Sequence, residues 1–145
     1  MTFIQTYSGA KFDFAAPCAE AINIADIAHA LSQTCRFGGH TERFYSVADH
    51  CVNACDLVAR DGHNRDTIAW ALLHDASEAY IGDIVTPFKR MLPVAEIYEQ
   101  RLQDLIRSRF GIDEGQVDFG AVKHADATLL VTEALALFPR EPLET

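Results

Sequence analysis

The segment NRDTIAWALLHDASEAYIG, residues 64–82, gives the clearest indication of the fold, because it predicts a helix. Its apolar residues recur with the spacing of an amphipathic helix, and Asn64 or Asp66 can cap the first turn. Gly82 suits the left-handed position that commonly follows a helix. The pattern therefore predicts one continuous helix that begins after Asn64 or Asp66 and stops at Gly82.

Four further helices are predicted on the two sides of this segment. They cover approximately residues 23–34, 46–60, 94–110 and 118–138. Each repeats apolar residues close to the 3.6-residue helical period. Pro87 and Pro93 mark the two ends of a short kinked segment that precedes the helix at residues 94–110. Residues 1–22 have no clear period and predict a short irregular arm with room for one hairpin. Since no convincing strand alternation appears, the sequence predicts an all-α, single-domain helical bundle over residues 1–145.

Composition restricts the classes of partner and compartment. The chain has 145 residues, of which 49% are hydrophobic and 23% charged, with a formal net charge of −9. This favours one folded core and argues against a nucleic-acid polymer as partner, because such binding relies on a basic surface. No apolar run approaches the roughly 18 residues that span a bilayer, and the N-terminus lacks a signal-peptide pattern. We therefore expect a cytoplasmic protein that does not bind a membrane.

Ionisable side chains on apolar helix faces give the clearest functional signal. His74 and Asp75 directly follow the apolar run AWALL, where an uncompensated charge would be expensive to bury. His50 shares a face with apolar residues of the second helix, and Asp126 does so on the fifth. Two imidazoles and two carboxylates can hold one divalent cation, such as Mn, Fe, Co, Ni or Zn, with Mg also compatible with the carboxylates. The alternative is that each His is hydrogen-bonded in the core and each Asp caps a neighbouring helix.

Two more acids extend this set. Glu78 lies four residues after His74, on the same face of the predicted helix, and Asp83 follows Gly82 at the helix end. Glu78 could orient or deprotonate a water, and Asp83 could protonate a leaving oxygen. Without a metal cluster, a solvated helix acid and a turn residue would be the simpler interpretations.

The segment LLHDASEAYIGDIVTPFK, with YSVADH upstream and KHADA downstream, resembles the HD-domain phosphohydrolases. The signature of that superfamily is H…HD…D bound to a divalent metal, and the resemblance spans roughly residues 24–133. It is closest in pattern to the small nucleotide phosphohydrolases, a group with bacterial 5′-deoxynucleotidases and phage dATP triphosphohydrolases. The resemblance implies an HD-type bundle with four metal ligands and two acids that handle water and proton transfer. The ligands would be His50, His74, Asp75 and Asp126, and the acids Glu78 and Asp83.

The resemblance also implies residues that contact the substrate. Arg36, at the start of RFGGH, and Lys89, in TPFK, match basic positions that hold phosphate. His40 could add a substrate contact, or it could satisfy backbone groups of its loop. Ile24 and Pro87 could form an apolar wall beside a base, although core packing is the simpler role for the isoleucine.

Two departures from the family pattern bear on substrate choice. Asp49 precedes His50 where many relatives carry Glu, and FGGH follows Arg36 in place of a tryptophan-containing sequence. The second departure slightly favours release of triphosphate from a deoxynucleoside triphosphate such as dATP over dephosphorylation of a deoxynucleoside monophosphate. A third alternative is a protein without catalytic activity, namely a nucleotide-binding module in which the metal ion only stabilises the fold. Aromatic residues in the arm and on the fourth helix also predict a homo-oligomer.

Overall fold

The computed structural model describes residues 1–139, which form one mostly helical domain with a small sheet. The strands are β1 (Phe3–Gln5) and β2 (Lys11–Asp13). The α-helices are α1 (Ile24–Gln33), α2 (Val47–Arg60), α3 (Arg65–Leu73), α4 (Glu78–Ile81), α5 (Thr86–Lys89), α6 (Pro93–Phe110) and α7 (Phe119–Leu137). Short 3₁₀ turns occupy Ala19–Ala21, Arg36–Gly39 and Glu114–Gln116. Within the described part of the chain, no helix is both long and apolar enough to cross a membrane.

The N-terminal arm is more ordered than its sequence indicates. Strands β1 and β2 pair antiparallel, so that Ile4 lies opposite Phe12. The Phe12 side chain is fully buried and stacks on Tyr80, with 4.2 Å between the ring centroids. The arm therefore belongs to the hydrophobic core instead of trailing from the bundle. Phe3 and Tyr7 of the same arm remain exposed, and the expected homo-oligomer stays a prediction.

The predicted third helix is wrong in one respect, because it is broken after Leu73. The Ala76 N–H donates to the Leu73 carbonyl at 3.0 Å, so the chain turns more tightly here than in an α-helix. His74 Nδ1 lies 2.7 Å from the Ala71 carbonyl oxygen, the group that an uninterrupted α-helix would pair with the Asp75 N–H. This side-chain bond competes with the helical one and explains the break, and the helix resumes only at Glu78.

The core is formed where α2 packs against α3 and α7, with α1 against α2 and α4. Fully buried apolar side chains come from several elements, among them Ile22, Val47, Val58, Leu102 and Ile106. This packing fixes the positions of α2 and α7, which carry His50 and Asp126, and of α3, which His74 and Asp75 directly follow.

The start of α2 is fixed by a capping box. The Ser46 hydroxyl oxygen accepts from the Asp49 N–H at 3.0 Å, and Asp49 Oδ2 accepts from the Ser46 N–H at 3.2 Å. These bonds satisfy two N–H groups that a helix start would otherwise leave unpaired. They also set the register of His50, one turn further along α2.

We expect Ser46→Ala to lower the free energy of unfolding by about 1 kcal/mol, because the Asp49 N–H loses its acceptor. Urea denaturation followed by circular dichroism measures the change. Ser108→Ala, on the exposed side of α6, is the matched control and should change stability by less than about 0.5 kcal/mol. Equal effects of the two substitutions would contradict the capping role.

Candidate metal centre

Four ionisable side chains surround the Nε2 atom of His50 or include it. His50 projects from α2, His74 ends α3, Asp75 follows in the tight turn, and Asp126 projects from α7. His50 Nε2 lies 3.3 Å from His74 Nε2 and 3.1 Å from Asp126 Oδ1. Asp75 Oδ2 lies 3.4 Å from His74 Nε2 and 3.7 Å from His50 Nε2. The sequence indicated this set, and the structure brings all four of its members together around His50.

The remaining ring nitrogens determine which protons the imidazoles carry. His74 Nδ1 faces the Ala71 carbonyl oxygen at 2.7 Å, and a carbonyl can only accept. His50 Nδ1 faces a carboxylate oxygen of Glu133 at 2.9 Å, which also acts as an acceptor. In the neutral rings both Nδ1 atoms therefore carry the hydrogen, and both Nε2 atoms present lone pairs to each other. Two such lone pairs beside two carboxylates favour a cation, either a proton on one Nε2 atom or a metal ion between the two rings.

The His50–His74–Asp75 group could hold a metal ion. Its three ligand atoms all lie within 4.8 Å of one another. Ligand atoms about 2.0–2.2 Å from one ion are separated by about 3–4 Å, which fits the contacts around His50 Nε2. Imidazole nitrogens with carboxylate oxygens suit Zn, Mn, Fe, Co or Ni, and the donor set leaves room for further ligands on a six-coordinate ion.

The electrostatics of His50 agree with this geometry. The ring is buried, which by itself lowers the pKa of its conjugate acid. Hydrogen bonds with Asp126 and Glu133 outweigh the burial and leave the pKa above its ordinary value. The hydrogen bond from His50 in turn lowers the pKa of Asp126. The centre therefore attracts positive charge, whether a proton or a metal ion.

Sequence reasoning missed Glu133, the acid on the far side of His50. Glu133 lies on α7, seven residues after Asp126, and is only 5% exposed. Its carboxylate contacts His50, Tyr45 and Arg36. Seven residues are almost two full helical turns, so Glu133 shares the face of Asp126. The sequence signal for Glu133 was therefore an acid on the same helix face as Asp126.

A cleft of about 490 Å³ opens beside the four side chains. This volume lies within the range of small-molecule sites. Asp75 and Asp126 line it together with both predicted acids, Glu78 and Asp83. Glu78 is 7% exposed, and its Oε2 has no hydrogen-bond partner among the described residues. A buried carboxylate oxygen without a partner is costly, which marks Glu78 as a group kept for a ligand or a water.

Both acids are shifted towards their protonated forms. Burial is the largest cause of the raised pKa of Glu78, and the charges of Asp75 and Asp83 add to it. Burial likewise raises the pKa of Asp83, against the opposing charge of Arg36. Neighbouring acids with raised pKa values can share and transfer a proton near neutral pH, which is what general acid–base catalysis requires.

Comparison with known proteins places the chain in a family. No family model matches it. It is 41% identical over 133 residues to the uncharacterized protein YfdR of Escherichia coli strain K12, an alignment that covers 92% of this chain and 71% of YfdR. The chain belongs to the YfdR family. An uncharacterized protein of Rhodobacter capsulatus is 36% identical over 110 residues, covering 72% of this chain and 56% of that protein. Neither relative's name states an activity.

The basic residues predicted to hold phosphate both line the cleft of this YfdR-family member. Arg36 is buried, with Nη1 3.6 Å from Asp75 Oδ2 and Nε 2.9 Å from Glu133 Oε2. Lys89 Nζ lies 2.9 Å from Glu99 Oε1. Burial lowers the pKa of Lys89, but the Glu99 carboxylate outweighs it and keeps the pKa above its ordinary value. Both cations are therefore charged and held in place at the cleft.

The other predicted substrate contacts divide into two groups. Pro87 lines the cleft beside Val85 and Thr86, as expected of an apolar wall. Ile24 is half-exposed at the first position of α1, and His40 is exposed at the end of a 3₁₀ turn. Neither is among the residues that line the cleft.

Proposed function

We propose that this protein is a divalent-metal-dependent phosphohydrolase that acts on deoxynucleotides. One observation carries the proposal, namely two imidazole Nε2 atoms 3.3 Å apart beside carboxylates, next to a cleft that also presents buried acids and cations. The resemblance of HDASEAYIGD to HD-domain phosphohydrolases supplies the reaction class and the nucleotide substrate. The proposed site is an HD-type site within a mostly helical domain.

The residues around the cleft fit hydrolysis of a phosphate ester or anhydride. When bound by His50, His74, Asp75 and Asp126, a divalent ion supplies a Lewis acid that polarises phosphoryl oxygen and lowers the pKa of bound water. In the proposal, the positive charge of the bound ion favours ionisation of Glu78, whose carboxylate then orients the attacking water and accepts its proton. Asp83, whose raised pKa keeps it protonated more readily than an ordinary aspartate, donates a proton to the leaving oxygen.

The basic side chains bind and orient the phosphate in this scheme. Arg36 forms an ion pair with Glu133 and lines the cleft, so its guanidinium can offer N–H donors to phosphate oxygens. Lys89 adds a point charge, and Arg90 also lines the cleft. Because the chain carries a net charge of −9, attraction of an anionic substrate must come from this local group and the ion.

The charge of the cleft supports a deoxynucleoside monophosphate as the second candidate substrate. Three basic residues and four acids line it, and one divalent ion leaves only a small positive excess. That excess balances a monophosphate dianion better than a triphosphate. The sequence around Arg36 slightly favours the triphosphate, as in dATP. Arg43, a further basic residue near that loop, is exposed and does not line the cleft.

An assay of products separates these activities. Metal-free protein is loaded in turn with Mn²⁺, Co²⁺, Zn²⁺ and Mg²⁺, and incubated with deoxynucleoside mono- and triphosphates, with ribonucleotides as controls. We expect metal-dependent release of deoxynucleoside from at least one substrate, with inorganic triphosphate or phosphate as the other product. Nucleotide binding without turnover under every ion would contradict the proposal and favour a metal-stapled binding module.

A further inference from the structure

We infer that Glu133 is a positioning residue that couples the metal centre to the phosphate-binding arginine. The inference rests on the proposed function and extends it to a side chain outside the HD signature. Glu133 would hold the His50 ring in the tautomer that binds metal and hold the Arg36 guanidinium in the orientation that binds phosphate. Metal binding through His50 and phosphate binding through Arg36 would then both depend on one buried carboxylate of α7.

The two oxygens of Glu133 face different parts of the site. Oε1 lies 2.9 Å from His50 Nδ1 and also accepts from the Tyr45 hydroxyl at 2.9 Å. Oε2 lies 2.9 Å from Arg36 Nε in a buried ion pair that does not have the angles of a hydrogen bond. The Tyr45 hydroxyl in turn accepts from Asn53 Nδ2 at 2.8 Å, which fixes the side of Glu133 that faces His50. The carboxylate is thus held by three partners and cannot turn away from any of them without losing a contact.

The effect on His50 follows from donor and acceptor roles. A carboxylate only accepts, so it selects the ring tautomer with hydrogen on Nδ1 and leaves the Nε2 lone pair directed towards His74 and Asp126. A glutamine amide could instead donate to Nδ1, which would move the ring hydrogen to Nε2. That hydrogen would occupy the side of the ring on which a metal ion must bind.

The effect on Arg36 follows from its burial. The side chain is 10% exposed and lies between two acids, Glu133 and Asp75. When Asp75 binds a metal ion, Glu133 becomes the remaining partner that keeps the guanidinium directed at the cleft. Burial of a charged pair costs desolvation energy that an apolar pair of the same size would avoid, so stability alone does not account for Glu133 and Arg36.

Glu133→Gln tests the inference without relying on turnover. Metal-free protein is titrated with Co²⁺ against a competing chelator, and the absorption bands of bound Co²⁺ report the ligand field. We expect the variant to bind Co²⁺ about 10–100-fold more weakly than the parent protein, with altered bands. Glu96→Gln, an exposed acid of α6, is the matched control and should bind within about twofold of the parent. Equal Co²⁺ affinity of Glu133→Gln and the parent would overturn the inference.

A second readout addresses Arg36. At saturating Co²⁺, we expect inorganic phosphate to bind Glu133→Gln at least about fivefold more weakly than the parent, because the guanidinium loses its anchoring charge. Unchanged phosphate affinity would overturn the coupling to Arg36. If Glu133→Gln does not fold, Glu133→Asp keeps the charge but shortens the reach to His50, and it should also weaken Co²⁺ binding. Failure of the parent itself to bind Co²⁺ would count against the proposed function, before any variant is measured.

Discussion

His74→Ala is expected to abolish both metal binding and hydrolysis. The substitution removes one of the two Nε2 donors and leaves His50 with carboxylate neighbours only. Transition-state stabilisation by a metal ion amounts to several kcal/mol, so turnover should fall by about a thousandfold or more. Elemental analysis and a chromogenic phosphate assay measure the two losses.

Thermal unfolding provides an independent measure of the same change. The parent protein should gain stability with added ion, by about 2.7 kcal/mol when the free ion is a hundred times its dissociation constant. His74→Ala should show no such gain. Because the His74 ring is only 11% exposed and bonds the Ala71 carbonyl, the metal-free variant should itself be less stable than the metal-free parent, and the quantity to compare is the ion-dependent gain of each protein.

His63→Ala is the matched control for that experiment. His63 lies in the loop between α2 and α3, has Asp118 at 3.9 Å, and belongs neither to the group of converging ligand atoms nor to the cleft lining. It should retain metal content, the ion-dependent gain in stability and turnover. Normal metal content in His74→Ala would contradict the assignment of His74 as a ligand.

The clustering of these ionisable side chains could be predicted because burial and charge conflict in the sequence itself. His50 follows the apolar Val47 by three residues and precedes Ala54 by four, and all three side chains are buried. An ionisable group on such a face requires a partner, and local periodicity is enough to reveal it. The same argument found Asp126 on α7.

Features that depend on tertiary contacts or on a competing local hydrogen bond could not be predicted in this way. The break after Leu73 arises because the His74 ring takes the Ala71 carbonyl, a choice that the apolar period does not encode. The partnership of Arg36 with Glu133 joins residues 97 positions apart and becomes visible only once α7 packs against α2. Phe12 is buried through its stacking on Tyr80, a contact between the arm and α4.

Glu78→Gln should separate catalysis from metal binding. Glu78 lines the cleft, yet it is absent from the group of three side chains whose ligand atoms converge. The amide cannot accept the proton of an attacking water, so turnover should fall by about 10²–10⁴-fold while metal content stays at the parent level. Single-turnover kinetics with metal-loaded protein measure the loss, and the pH profile should lose the limb on which activity rises as Glu78 ionises.

The same substitution should stabilise the metal-free protein. Burial and the charges of Asp75 and Asp83 raise the folded-state pKa of Glu78 above its unfolded value of about 4.3. The unfolded chain therefore releases its proton at a lower pH, so Glu78 destabilises the fold progressively as the pH rises above about 4.3. Glu78→Gln removes this penalty and should raise the free energy of unfolding at pH 7–8 by about 1 kcal/mol or more, with no gain at pH 3–4.

Urea titrations of metal-free protein across this pH range test the sign of the effect. Glu96→Gln, at an exposed position of α6, should follow the parent at every pH and keep full turnover. If Glu78→Gln is less active but more stable above pH 5, then the Glu78 carboxylate lowers stability and is needed for catalysis. Loss of stability at pH 7–8 in Glu78→Gln would instead make Glu78 a structural acid, and wild-type turnover would remove it from the proposed mechanism.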